Sequence, residues 1–163
     1  MDYFESIVVD YLRADRSLFV NPQCLIQLES LGAVKKGTSW YCDTLTADFR
    51  NSTVFLCEVS YSTTLYSLQK RLTEWAQNWE QLQLAVRRDC FFPNNWPIRP
   101  WLFVREQSIT KAVTILARIY STEGVKLRPK ITTLEMTLPW LYKTWDRPVE
   151  AQKPISIPDE MVN

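Results

Sequence analysis

Asp43 and Glu58 stand in the segment Trp40-Tyr41-Cys42-Asp43-Thr44-Leu45-Thr46-Ala47-Asp48-Phe49-Arg50-Asn51-Ser52-Thr53-Val54-Phe55-Leu56-Cys57-Glu58-Val59-Ser60, whose pattern brings acids together. Runs rich in β-branched and aromatic residues flank Arg50-Asn51-Ser52, which predicts a hairpin with strands over 38–49 and 53–61. With the turn centred on Asn51-Ser52, Asp43 lies opposite Ser60 and Leu45 opposite Glu58. Asp43, Glu58 and Ser60 then project from one face, the two carboxylates being diagonal neighbours roughly 5–8 Å apart at Cβ. Asp48 falls on the other face, near Phe55. Carboxylates held this close repel each other unless a proton or a cation lies between them. Hard oxygen ligands suit Mg²⁺ or Mn²⁺, and such an ion can bind a phosphate oxygen, acidify water and support phosphodiester hydrolysis. The competing reading is a pair of solvated strand carboxylates that never meet.

Other chemistries are excluded by composition. The chain has no histidine, which removes Ser-His-Asp and Cys-His catalysis. Cys24, Cys42, Cys57 and Cys90 form no closely spaced pair, so they read as reduced small core residues rather than zinc ligands. With glycine only at 32, 37 and 124, neither a P-loop nor a dinucleotide fingerprint can be written. Net charge is +1, yet residues 84–130 hold nine basic against three acidic groups, either a phosphate-facing surface or scattered solvated charges. No run approaches the roughly 18 apolar residues of a membrane span. The acidic start Met1-Asp2-Tyr3-Phe4-Glu5 lacks the basic-then-apolar order of a signal peptide, so a cytoplasmic location is expected.

The elements that must position the acids follow from periodicity. A helix is expected over 2–15, and a second short one near 22–31, opened by Asn21 with Pro22 at its first position and closed by Gly32. Lys35-Lys36-Gly37 reads as a charged turn. After the hairpin, one long helix is expected over 64–88, with Leu65, Leu68, Leu72, Trp75, Trp79, Leu82 and Val86 as its apolar stripe. Gln69 lies at one edge of that stripe, Arg71 at the other, and Lys70 points away. A strand over 100–105, a helix over 108–120 ended by Gly124, a last strand over 132–136 and a helical turn around 140–145 complete the order. The tryptophans of Trp96-Pro97-Ile98-Arg99-Pro100-Trp101 read as a core seal more readily than as a base-stacking platform. Together these describe an α/β fold, a mixed β-sheet flanked by helices, as one domain over 1–147 with a proline-containing tail over 148–163.

Asp43, a spacer of fourteen residues, then Glu58-Val59-Ser60 behind a hydrophobic strand resembles the D…(D/E)-x-K signature of the PD-(D/E)XK, or restriction-endonuclease-like, nucleases. The resemblance covers roughly residues 2–105 and implies the αβββαβ core of that superfamily. It also implies that Asp43 and Glu58 are metal ligands and that the backbone of Val59 adds a third. Glu5, on the first helix, would match the extra acidic residue that some members supply. Where the family has lysine this chain has Ser60, whose hydroxyl can hydrogen-bond a water but brings no positive charge. Some members supply a substitute lysine from the following helix, for which Lys70 is poorly oriented. Gln69 resembles the glutamine that exonuclease-like members carry at this distance.

Two functions are therefore carried forward. One is a Mg²⁺- or Mn²⁺-dependent DNA endonuclease with Asp43, Glu58, Ser60 and Gln69 as its catalytic set. The other is an inactive nuclease-fold module binding nucleic acid or a protein. The expected partners are DNA and a second copy of the chain in a homodimer, with no membrane. A purely structural protein with incidental carboxylates is the third reading.

Overall fold

In the computed structural model, which describes residues 2–29 and 39–142, the first helix begins where the sequence places it. Helix α1 (Tyr3–Ala14) is started by a reciprocal cap: Glu5 N–H donates to Asp2 Oδ1 at 2.9 Å, and Asp2 N–H donates to Glu5 Oε2 at 3.0 Å. Its inner face buries Val8, Val9 and Leu12.

Strands β1 (Leu18–Gln27), β2 (Ser39–Asp48) and β3 (Thr53–Ser60) follow, then α2 (Tyr66–Gln77), α3 (Trp79–Cys90), β4 (Ile98–Val104), α4 (Ile109–Glu123) and β5 (Lys130–Thr133). Short 3₁₀ turns occupy Glu106–Ser108 and Leu134–Thr137. One sheet runs β1-β2-β3-β4-β5, antiparallel from β1 to β3 and parallel from β3 to β5. This is the mixed α/β sheet flanked by helices that the patterning implies. On one face α1 covers Phe55, Cys57, Trp101 and Phe103; on the other, α2, α3 and α4 cover Leu45, Leu56, Leu102 and Ile131. Trp75 is fully buried in this second layer and Trp79 packs against it. Trp101 is buried and Trp96 half-buried against Phe49 and Phe92, as a core seal requires. No helix among the described residues is long and apolar enough to cross a membrane.

Three expectations are corrected. The helix expected over 22–31 is strand β1 where it is described, through Gln27. Asn21-Pro22 has the residue types of a helix start, but nine registered partners on β2 and burial of Ile26 outweigh that local signal. As an edge strand, β1 tolerates a proline that cannot donate to a ladder. The long helix expected over 64–88 is two helices. At the junction Asn78 has φ −124° and ψ 25°, its N–H turns to Trp75 O, and its side chain donates to Glu74 O at 2.9 Å. A side-chain amide competing for the backbone in this way breaks a helix. The third correction is the hairpin register. Asp48 pairs with Thr53 and Thr44 with Cys57, so the loop is Phe49-Arg50-Asn51-Ser52 and every partner shifts by two positions, which takes Ser60 out of the place opposite Asp43. Smaller shifts start β4 at Ile98, carry α4 to Glu123 and end β5 at Thr133, where a 3₁₀ turn begins. Gly124 ends α4 at φ +69°, as expected. Lys35-Lys36-Gly37, Gly32 and the tail over 148–163 lie outside the described residues, as does most of the turn expected around 140–145.

Asp48 sets the loop. Buried, it accepts from the N–H groups of Arg50 at 3.0 Å and Asn51 at 3.1 Å, and from Asn51 Nδ2 at 2.7 Å. Removing these acceptors leaves turn donors only partly recovered by water. Asp48→Ala should cost about 1–2 kcal/mol and Asp48→Asn less than half of that, read by urea denaturation.

Candidate active site

The acids meet where two strands change face. On β1, Leu18 and Val20 pack into the α1 layer, whereas Cys24 and Ile26 pack into the opposite layer. On β2, Trp40, Cys42 and Leu45 all face that opposite layer, so the two-residue alternation fails between 42 and 45. Both breaks centre on one position. Pairing runs through Pro22↔Thr44 and resumes at Cys24↔Cys42, skipping Gln23 and Asp43, and Gln23 has φ +53°. Left-handed backbone in a non-glycine residue is a strained state, and strain of this kind collects at functional sites.

Released from the ladder, Asp43 bonds across to β3. Its Oδ2 accepts the Val59 N–H at 2.7 Å, and its own N–H supports the Glu58 carboxylate in return. Glu58 is buried, and Arg71 from α2 closes the group by donating from Nη1 to Glu58 Oε1 at 2.9 Å and to the Tyr41 carbonyl. The arrangement is two carboxylates on adjacent strands, tied by backbone amides, with one guanidinium against the more buried of them.

Electrostatics follow from that burial. Desolvation pushes Asp43 up to about 6, helped by Glu5 and Asp2 on α1 and opposed by the Val59 N–H and Arg71. Desolvation and then the Asp43 charge push Glu58 well above the usual carboxylate range, against the pull of Arg71. The site thus disfavours two bare negative charges and favours a proton or a cation.

The other expected residues divide. Val59 is in the site through its N–H, and Ser60, half-buried, ends β3 beside Val104. Gln69 is half-buried on α2, and among the described residues no hydrogen bond joins its side chain to Asp43, Glu58 or Ser60. Lys70 is exposed and faces Glu74 at 4.0 Å, away from the acids as expected. Glu5 lies within electrostatic range of Asp43, while one of its oxygens caps α1. Asp48 belongs to the hairpin loop. Among the described residues no group of three or more acidic or cysteine side chains has an arrangement able to hold a metal ion.

Arg71 is the member that sequence reasoning misses, because periodicity places it only at the edge of the α2 stripe. The signal that could find it is a cation at a helix edge, thirteen residues after a strand-terminal glutamate, on the helix that must return over that strand. No family model, curated protein or solved structure matches the chain.

Proposed function

We propose that the chain is a divergent nuclease-type hydrolase acting on DNA phosphodiesters, with Mg²⁺ or Mn²⁺ held by Asp43, Glu58 and the backbone of Val59. The observation that carries this reading is the convergence of two desolvated carboxylates across β2 and β3, both shifted toward needing a cation. The element order helix, three strands, helices, strand supports it. The donor set of two carboxylates suits a hard ion that keeps most of its waters. When bound, the ion would polarise a phosphate oxygen and acidify a water. Arg71 supplies from α2 the positive charge that Ser60 does not. Because a guanidinium stays protonated, its part is to hold phosphate charge rather than to take a proton. Ser60 and Gln69 orient water by hydrogen bonds. A homodimer and a cytoplasmic location complete the proposal, and four free thiols agree with a reducing compartment.

One observation favours the second reading, an inactive module binding nucleic acid or a protein: Arg71 already engages Glu58, and the residue two after Glu58 is Ser60 rather than a lysine. Cleavage of plasmid and single-stranded DNA with Mg²⁺ or Mn²⁺ separates the two. A nuclease loses at least about 100-fold in rate in Glu58→Gln. Hydrolysis absent from the wild type and gained in Ser60→Lys supports the module. Absence of calorimetric Mg²⁺ binding, together with no DNA binding, sinks the nuclease and the nucleic-acid module and leaves only a protein-binding one.

A further inference from the structure

Strands β3, β4 and β5 run parallel and end in register, Ser60 beside Val104 and Val104 beside Thr133. The next residue of each, Tyr61, Arg105 and Leu134, therefore leaves the sheet side by side at its carboxyl edge. All three line one half-open cavity of about 380 Å³, walled on the other side by Phe4 and Ile7 of α1 and by Leu138. Phe4 and Tyr61 stack at 4.6 Å and make an aromatic wall. The carboxyl ends of parallel strands are where open α/β sheets take ligands, and this volume is that of small-molecule sites.

The lining is mostly apolar, and Arg105 and Glu135 are its charged residues. Arg105 is half-buried, and among the described residues no carboxylate comes within ion-pair distance of it. Its guanidinium faces the amide of Gln107, whose oxygen accepts from it at 2.8 Å in the orientation that satisfies both groups. Glu135, also on the lining, accepts the Glu106 N–H at 2.9 Å and brings a carboxylate to the same cavity. A half-desolvated guanidinium beside apolar walls calls for an anion. Glu135 on the same lining repels a dianion more strongly than a monoanion, which favours a carboxylate over a phosphate. We infer that this cavity binds a small amphipathic carboxylate, its apolar or aromatic body against Phe4, Tyr61 and Leu134 and its carboxylate on Arg105. Independently of the nuclease reading, it assigns the chain a ligand site that the acids of β2 and β3 do not need.

The test uses three probes of one shape, 2-naphthoate, 2-naphthol and 2-naphthyl phosphate, titrated calorimetrically into the full chain. Saturable binding of 2-naphthoate is expected, about tenfold tighter than that of the other two. Arg105→Gln should erase the tenfold preference and leave 2-naphthol binding unchanged. Ile7→Phe, on the half-buried α1 wall, should crowd the cavity and weaken binding of all three at least about tenfold with the melting temperature retained. No saturable binding by the wild type, equal affinities for naphthoate and naphthol, or tightest binding of the phosphate overturns the inference. So does equal loss of naphthoate and naphthol in Arg105→Gln.

Discussion

Asp43→Asn is expected to stabilise the metal-free protein by about 2–3 kcal/mol at pH 7.5 and to remove the Mg²⁺ affinity proposed for it. Burial lifts Asp43 from 3.8 to about 6, so at neutral pH the folded chain carries a charge that its surroundings disfavour. A rise of that size corresponds to about 3 kcal/mol, reduced because the group keeps some contact with solvent. The folded pKa lies above the unfolded one, so between about pH 4 and pH 6 the folded state binds more protons. Stability therefore falls as pH rises through that window and levels off above it. Asparagine has no charge to desolvate, and its side-chain oxygen still accepts the Val59 N–H. It also removes the repulsion that lifts Glu58. Urea denaturation at pH 4.5, 6.0 and 7.5 in EDTA reads the difference between the two proteins, in which other titrating groups cancel. The gain should be smallest at pH 4.5, about a third of its full size, and largest at pH 7.5. An asparagine variant no more stable than the wild type at pH 7.5 would show that Asp43 is not an electrostatic strain point. A residue whose neutralisation stabilises the fold and abolishes ion binding is kept for the ion.

How much of this was legible in the sequence depends on how local each determinant is. The hairpin was legible because strand-forming residues flank a turn cluster. Its register was not, because Asp48 captures the amides of Arg50 and Asn51 and closes the loop with the pair Asp48 and Thr53. The shift moves each partner by two positions, an even number, so it preserves which residues share a face. Asp43 lies beyond the last registered pair of β2 and β3, and it meets Glu58 through the break in β2 and its side-chain bond to the Val59 N–H rather than through the ladder. Strand β1 was illegible because Asn21-Pro22 is locally a helix start, and only pairing with β2 decides otherwise. The kink at Gln23 and Asp43 is likewise a property of two strands together. Arg71 could be placed on its helix by periodicity, but its partners Glu58 and the Tyr41 carbonyl lie on two other elements. Recognisable residue types thus gave the acids, and long-range pairing gave the cation and the geometry that serves them.

Arg71→Met is expected to cost about 3 kcal/mol at pH 7.5, because it leaves the buried Glu58 carboxylate with no opposite charge and the Tyr41 carbonyl without its donor. Methionine keeps most of the aliphatic stem, so the loss isolates the guanidinium. Glu58 has an escape, since its pKa already lies above the usual range and rises further when Arg71 is gone. A protonated Glu58 needs no partner, so the penalty should shrink toward about 1 kcal/mol as pH falls to the unfolded carboxylate range, and grow as pH rises. A penalty that stays constant with pH would mean that Arg71 acts through packing alone. Mg²⁺ then distinguishes the roles left to the arginine. If guanidinium and ion compete for one place between the acids, 10 mM Mg²⁺ should raise the melting temperature of Arg71→Met more than that of the wild type. The additional Asp43→Asn change should cancel that gain. If the two act together on a phosphate, Mg²⁺ should stabilise the wild type at least as much as the variant, and DNA should increase the difference. The first outcome makes Arg71 the built-in substitute for a lost metal and the chain a binding module. The second leaves it as the positive charge of a working site, delivered from α2.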